Sequence, residues 1–584
     1  LSEAQINQLL SNIYDTDLWL YHLPPENFAF HGIVTTTLLD ITEEEALSRM
    51  KQQLLRKDGI TESTKIEALE NLVRTYFNLP DLRLGITAID YPVEDSVAHK
   101  YKIRFDFLAE DFEHLLDPEF SNSIYEKVCK YKETLLIEDL EKFNPKTPLE
   151  KKLLEQGFRS IIVVPLLDKT EKVIGILEIG SPRSYELHSF VELKLKEVVT
   201  LFTLAVERSR EEIDNRVEAV LRAQFTAVHP SVEWKFVDAS YNLLEKRDRG
   251  ETQASVEPIV FKDVFPLYGQ ADIVGSSTIR NNAIQADLLD NLERAKRVLE
   301  KCNQVAHYPL INQLLMKIDR AAARLREEFN SNDETGIVDL LHSEVHPILT
   351  HLRGRYADLA GAVTNYFNHL DTELGIIYRE RRAFEESVAM VNQEISMYLE
   401  KEQRDLQKML PHYFEKYQTD GVEYEMYIGA SLLRQPEYCE LHLQNFRLWQ
   451  MTAMCEITRR VEALKGKLPV PLTTAQLIFA YTTSLSIRFR MDEKQFDVDG
   501  AYNVRYEILK KRIDKAIIEG TNERLTQEGK IAIVYLQEKD RQEYLEYIEY
   551  LQHKDMITNE VEDLLIGKLQ GAQGLRALRV TVKM

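Results

Sequence analysis

From Ser160 to Leu167 the chain reads SIIVVPLL, apolar or β-branched almost without a break, and after Asp168-Lys169-Thr170-Glu171 it returns with VIGILEIG. Two apolar runs closed by a polar turn predict a hairpin whose strands are covered on both faces. Upstream, the periods alternate between 3.6 and 2. They predict helix (KIEALENLVRTYF), strand (RLGITAIDY), strand (YKIRFDFL), helix (NSIYEKVCKY), strand (ETLLIEDL) and helix (PLEKKLLEQG) before the hairpin. Beyond Tyr185, Val199, Phe202, Val206, Ser209, Ile213, Arg216 and Val220 keep a 3-4 spacing, with Ser209 and Arg216 interrupting an otherwise apolar seam. That pattern predicts one helix of about forty residues, able to pair across a homodimer or to pack within its own chain.

The remaining segments divide as follows. Residues 1–60 mix short apolar runs such as FAFHGIVTTTLLDI with the helical EEEALSRMKQQLLRK and read as a small α/β segment packed on the domain at 61–208. Residues 209–277 read as a connecting helix and an irregular stretch of strands and loops, and 278–468 as a helical bundle whose long helix stops at Pro411. From 469 to 584 strands and helices alternate again, which predicts a mixed sheet backed by helices. The expected class is therefore α+β and multidomain: an antiparallel sheet with helices, a helical middle region and a C-terminal mixed α/β domain.

The order ETLLIEDL, GFRSIIVVPL, EKVIGILEIGSP and then an amphipathic helix resembles the second half of a GAF domain, the ligand-binding sensory fold of many bacterial signalling proteins. The resemblance rests on Leu136, Asp139, Phe158, Arg159, Ser160, Pro165, Gly175, Leu177 and Gly180, within residues 62–208. Phrases farther along, FPLYGQADIVGSSTIRNNAIQ, MLPHYFEKYQTDGVEY and FDVDGAYNVRYEILKKRIDKA, are similar to large GAF-containing proteins of uncharacterised role in the Bacteroidetes. The GAF resemblance implies a small-ligand pocket between the sheet and the elements before the hairpin. It leaves open cyclic nucleotides, tetrapyrroles, small metabolites or no ligand. Arg104 and Asp106, alternating with apolar neighbours, and Phe158 and Ser160 are the expected pocket residues.

Composition narrows the partners. The 584 residues carry 95 acidic and 73 basic side chains, a formal charge of -22, which opposes general binding to nucleic acid or anionic lipid. No apolar run is long enough to span a bilayer, and Cys129, Cys302, Cys439 and Cys455 stand far apart, so a cytoplasmic protein without a disulfide framework is expected. Cys129 lies on a helix without an adjacent His, unlike a bilin-attachment site, and reads as a buried structural thiol.

Three further clusters are candidate chemistry. His342, His346 and His351 with Glu344 offer metal-ligand atoms, but the order is H-x-E-x-H and Pro347 disturbs the turn, so no metal site is expected. Ser276 or Ser277 is placed to cap a helix beginning at Thr278, with Arg280 beside a possible phosphate. Arg488 and Arg490 alternate on one strand, and Arg505 and Arg512 follow on a helix. They form an alternative anion-binding set for a phosphorylated ligand or substrate, with nearby acidic residues to neutralise it. No nucleophile motif, kinase signature or cyclic-dinucleotide signature completes an enzyme. The sequence points to a non-catalytic sensory protein and homodimer, with a small ligand of unknown identity, no known cofactor and no recognised output module.

Overall fold

A computed structural model describes residues 1–29, 31–33, 35, 37–55, 60, 63–91, 104–105, 107, 121–225, 228–251, 253–327, 329–434, 438–492, 494–500, 504–569 and 574–584. They divide into two units, 1–213 and 214–584.

The first unit opens with helices α1 (Glu3–Ser11), α2 (Thr16–His22), α3 (Thr42–Leu54) and α4 (Ser63–Phe77). The described part of 1–60 holds no strand, unlike the α/β reading. Ile33, Leu38 and Leu39 are exposed, and β-rich residues without a neighbouring strand have no ladder to join. There follow β1 (Arg83–Tyr91), β2 (Arg104–Phe105), α5 (Ile124–Tyr131), β3 (Leu135–Ile137), α6 (Pro148–Glu155), β4 (Ser160–Leu167), β5 (Val173–Ser181) and α7 (Ser189–Gln224), whose residues from Asp214 onward belong to the second unit. The five strands form an antiparallel sheet in the order β2-β1-β5-β4-β3.

The central hairpin β4–β5 is buried on both faces, which explains its unbroken apolar text. Ile162, Val164, Leu177 and Ile179 pack with the side chains of α3, α4 and α7. On the opposite face Ile161, Val163 and Ile176 pack with those of α5 and α6. The starts of α5 and α6 are tied together by Glu150, itself fully buried. Its carboxylate accepts the Thr147 N–H at 2.6 Å and the Ile124 N–H at 2.8 Å, so one side chain satisfies donors of two helices.

The second unit contains α8 (Glu233–Asp248), β6 (Val260–Ile273), α9 (Ser276–Ala306), α10 (Pro309–Glu327), α11 (Ser331–Asp339), α12 (His346–Arg355), α13 (Ala357–Phe367) and α14 (Glu380–Met409). These lead to β7 (Tyr413–Thr419), β8 (Gly421–Ile428), α15 (Glu440–Leu464), β9 (Thr474–Ala480), β10 (Leu485–Arg490), β11 (Gln495–Val498), α16 (Val504–Ile513), β12 (Lys530–Tyr535), α17 (Glu538–His553), β13 (Ile557–Leu565) and β14 (Arg576–Val582).

The sheet of this unit runs β11-β10-β6-β9-β12-β14-β13, with β8 also paired to β6 and β7 paired to β8. Only the β9–β12 pairing is parallel among the described strands, so the sheet is mixed. It draws on more of the chain than 469–584. The stretch read as irregular supplies α8 and β6, a strand that pairs on both sides, and MLPHYFEKYQTDGVEY passes from the end of α14 into the hairpin β7–β8. The period-two text VEYEMYI explains that hairpin: Val422, Tyr424 and Met426 enter one core, and Glu423, Glu425 and Tyr427 face the other side.

Between β6 and β7, helices α9 to α13 bury their own core, including Leu292, Leu314, Leu349 and Val363. The entry to α14 is fixed by α9. Asp287 is buried, and its carboxylate accepts the N–H groups of Arg379, Glu380 and Arg381 at 3.0–3.1 Å. Asn291, one turn on, accepts the Ile377 N–H at 3.0 Å. The first turn of a 30-residue helix is thus capped by a side chain from another helix. No helix among the described residues is long and apolar enough to cross a membrane.

Candidate functional site

In the first unit, Phe158 and Ser160 occupy the entry to β4. Phe158 is 2% exposed and stacks on Phe107 with centroids 4.3 Å apart; the Arg83 guanidinium lies 5.4 Å from the Phe158 centroid. A side chain at position 180 would put its Cβ 2.5 Å from the Phe158 ring, so the close approach of β5 requires Gly180. Ser160 donates its hydroxyl to the Arg183 carbonyl at 2.8 Å and accepts the Leu187 N–H at 3.4 Å, tying β4 to the chain after β5. Beneath the aromatic pair, the buried Glu178 accepts the Phe107 N–H at 3.0 Å. Arg104 lies in β2, and Asp106 lies outside the described residues. Cys129 is buried in α5, where desolvation and then Glu126 push its thiol up to about 12, leaving it protonated and inert near neutral pH.

A second candidate is a cavity of about 580 Å³ in the other unit, against the sheet face formed by β6, β7 and β8 and beside α16. Six carboxylates line it: Glu415, Glu423, Glu425, Asp497, Glu507 and Asp514. The period-two alternation of β7 and β8 places Glu415 directly opposite Glu425, an arrangement that costs stability unless cations intervene. Lys510 does so in part, donating to Glu425 and Glu507 at 2.9 Å each, and the Tyr506 hydroxyl donates to Glu425 at 2.7 Å. Burial opposes the Lys510 charge, yet Glu425 and Glu507 together outweigh it and raise its pKa. Burial also holds Glu423 above the usual carboxylate range despite Lys510, with Glu425 and Asp514 adding to the rise. One oxygen of Asp514 is buried and accepts no hydrogen bond.

The alternative anion-binding set is divided by this geometry. Arg490 lines the cavity but pairs with Asp492 at 2.8 Å and with Asp497 at 3.4 Å. Arg488 pairs with Asp499 at 3.1 Å. Arg505 is exposed and Arg512 half-buried on α16, and neither lines the cavity. The concave surface near Arg490 is therefore carboxylate-rich.

Asp272, on the same face of β6 as Tyr268 and Gln270, is raised to about 6 by burial and then by Asp514 and Asp420, with Arg524 opposing. Its folded pKa exceeds its unfolded value of 3.8, so its stabilising contribution is full below 3.8 and is lost as pH rises through about 6. Asp272→Asn should therefore stabilise this unit by about 1 kcal/mol at neutral pH, allowing for solvent screening, and the gain should vanish below its unfolded pKa. Urea titrations of both chains at the two pH extremes check it; an equal effect at both refutes the linkage.

Two members of the histidine cluster, His346 and Glu344, are engaged by neighbouring side chains. A π turn at Leu340–Val345 precedes α12 and lets Pro347 follow without breaking the helical path. His346 lies 3.1 Å from the Tyr366 hydroxyl and is lowered to about 4 by burial and then by His342, while Glu344 is held by Lys317 at 2.6 Å. Among the described residues no cluster of three or more His, Cys, Asp or Glu is arranged for a metal. Nor do Ser276 and Ser277 cap α9: the helix begins at Ser276 with Gly275 as its cap, and Arg280 is engaged by Asp420. Cys439, one of the four scattered cysteines, has a neighbour in His442 of CELH. Cys439 is exposed at the N-cap of α15, with Sγ 3.2 Å from His442 Nδ1.

A family model described as YeeD uncharacterised protein matches residues 282–395, from α9 into α14. No curated protein matches the chain. Among solved structures, similarity is found to a free methionine-R-sulfoxide reductase from Neisseria meningitidis in complex with its substrate, at 16% identity and TM-score 0.22, covering 31% of this chain and 99% of that one. It is also found to the GAF domain of an Acinetobacter phosphoenolpyruvate-protein phosphotransferase, at 14% identity and TM-score 0.21, covering 30% and 98%. A further structure described as the GAF domain matches at 15% identity and TM-score 0.20, covering 30% and 98%.

Proposed function

We propose that this chain is a non-catalytic sensory protein that works as a homodimer: the GAF-like unit takes up a small ligand, and α7 carries the resulting change onward. The observation that carries this reading is α7 itself, 36 residues without a break. Its first half buries Val191, Leu195, Val198, Phe202 and Val206 in the core of the GAF-like unit, and the helix continues to Val217 and Val220, which are also buried. A helix anchored in this way shifts as a body when its packing changes.

Dimerisation is supported by the other side of the helix. Phe190, Leu193 and Leu204 are 60%, 60% and 52% exposed and lie along one side of the helix, an apolar surface that a second copy of the chain would cover. A ligand drives such a switch only if it binds one helix arrangement better than the other. The carboxylates paired to Arg488 and Arg490 leave the anion-binding alternative without a comparable support.

Native mass spectrometry of the full chain purified from its own host tests both parts. The expected species is a dimer that releases a discrete small molecule on denaturation, and Leu193→Glu with Leu204→Glu should convert it to a monomer. A ligand-free monomer overturns the reading.

A further inference from the structure

β7 is paired with β8 alone among the described strands, so every second N–H and C=O along its outer side is directed away from the sheet. The two faces of this edge are chemically different. Glu415 and Tyr417 point into the 580 Å³ carboxylate cavity, where six acidic side chains meet three cations, Arg490, Lys510 and Lys511. Lys416 and Gln418, on the alternate positions, join Thr419 in lining a second cavity of about 830 Å³ against α14. Its α14 wall sets the apolar Phe384, Val388, Ala389 and half-exposed Met397 among polar side chains such as Glu385 and Glu400.

The rim of the second cavity also holds an unused acceptor. Asn392 is 6% exposed and donates its amide to the Thr419 carbonyl at 2.9 Å, while its Oδ1 receives no hydrogen bond. A buried amide oxygen without a donor costs about 1–3 kcal/mol, and an incoming N–H would relieve it.

The geometry points to β7 as a docking edge for an extended segment of a partner protein in which basic and apolar residues alternate. Laid beside β7, such a segment continues the main-chain ladder, and its period of two sends successive side chains to opposite faces. Basic residues then face Glu415 and the carboxylate cavity behind it, and apolar residues face Val388, Ala389 and Met397 on the α14 wall. Charge complementarity selects this partner: a segment with acidic residues on those positions would face an unrelieved excess of carboxylates.

The probe is a capped, fluorescein-labelled peptide of alternating Lys and Val, titrated with the full chain at about 150 mM salt so that long-range attraction to the acidic surface is screened. Fluorescence anisotropy should show binding at least roughly tenfold tighter than for a block peptide of the same composition or for alternating Glu and Val. Glu415→Lys should weaken it by a similar factor; Glu423→Gln, which keeps the side-chain shape, is the second variant should the first fail to fold by circular dichroism. Methylating alternate backbone nitrogens of the probe should abolish binding. The proposal is overturned if the block peptide binds as well, if the alternating peptide does not bind, or if the folded variants bind unchanged. It is likewise overturned if Glu415→Lys lowers the assembly mass, because the edge would then belong to a second copy of this chain.

Discussion

Asp287→Ala is expected to lower the stability of the second unit by about 3 kcal/mol, with the loss concentrated at the start of α14. An ordinary N-cap side chain satisfies one or two donors, whereas the Asp287 carboxylate accepts three consecutive N–H groups at the positive end of a 30-residue helix. The site is buried, so water does not simply replace the lost acceptor. Asp287→Asn keeps an acceptor oxygen without the charge and should cost about 1 kcal/mol. Hydrogen exchange along Glu380–Met409 in increasing urea separates this effect from unfolding of the other unit. If alanine and asparagine cost the same, the carboxylate is not what holds the junction.

His412 should make the same unit acid-sensitive. It is fully buried, and desolvation first, with His229 adding, lowers it to about 4 although the Leu410 carbonyl favours the charged form. A neutral ring has one N–H, which Nδ1 donates to Leu410 O at 2.8 Å. Nε2, 2.7 Å from the Gln403 amide oxygen as placed, is then an acceptor and requires that amide turned so that its NH2 faces the ring. The folded pKa lies below the unfolded 6.5, so the contribution to stability is present above 6.5 and is lost as pH falls toward about 4. The full loss is about 3 kcal/mol. His412→Leu removes the titrating group, so the stability difference between the two chains should shift by that amount across the window in favour of the variant. A constant difference, read from exchange of Tyr413–Thr419 in urea, would sink the assignment.

How much of this was legible in the text of the chain depended on whether local pattern and tertiary environment agreed. The hairpin β4–β5 announced itself because both faces are covered, and a doubly buried strand needs no alternation. The strand β6 did not, since Pro266 and Gly269 interrupt it and each ordinarily argues against an interior strand. Gly269 is there because a Cβ would lie 2.4 Å from the Met454 methyl and 2.6 Å from the Tyr424 ring, residues far along the chain that no local window contains. The same holds for the acidic cavity. Its carboxylates come from β7, β8, β11, α16 and the residue following α16, and only the register that sets Glu415 against Glu425 makes them neighbours. The arginines of β10 were visible as a pattern, but their partners Asp492, Asp497 and Asp499 decided their character.

The place of β6 also orders events during synthesis. The strand leaves the ribosome before α9 to α14, yet its ladder partners are Gly421–Ile428, Thr474–Ala480 and Leu485–Arg490. The intervening helices contain their own apolar core and local contacts, so they can collapse first, while β6 waits with both edges unpaired. Until β8, β9 and β10 emerge, Val260–Ile273 is an unpaired strand of the nascent chain, and Pro266, which has no N–H to donate, removes one donor from the ladder a wrong partner would need.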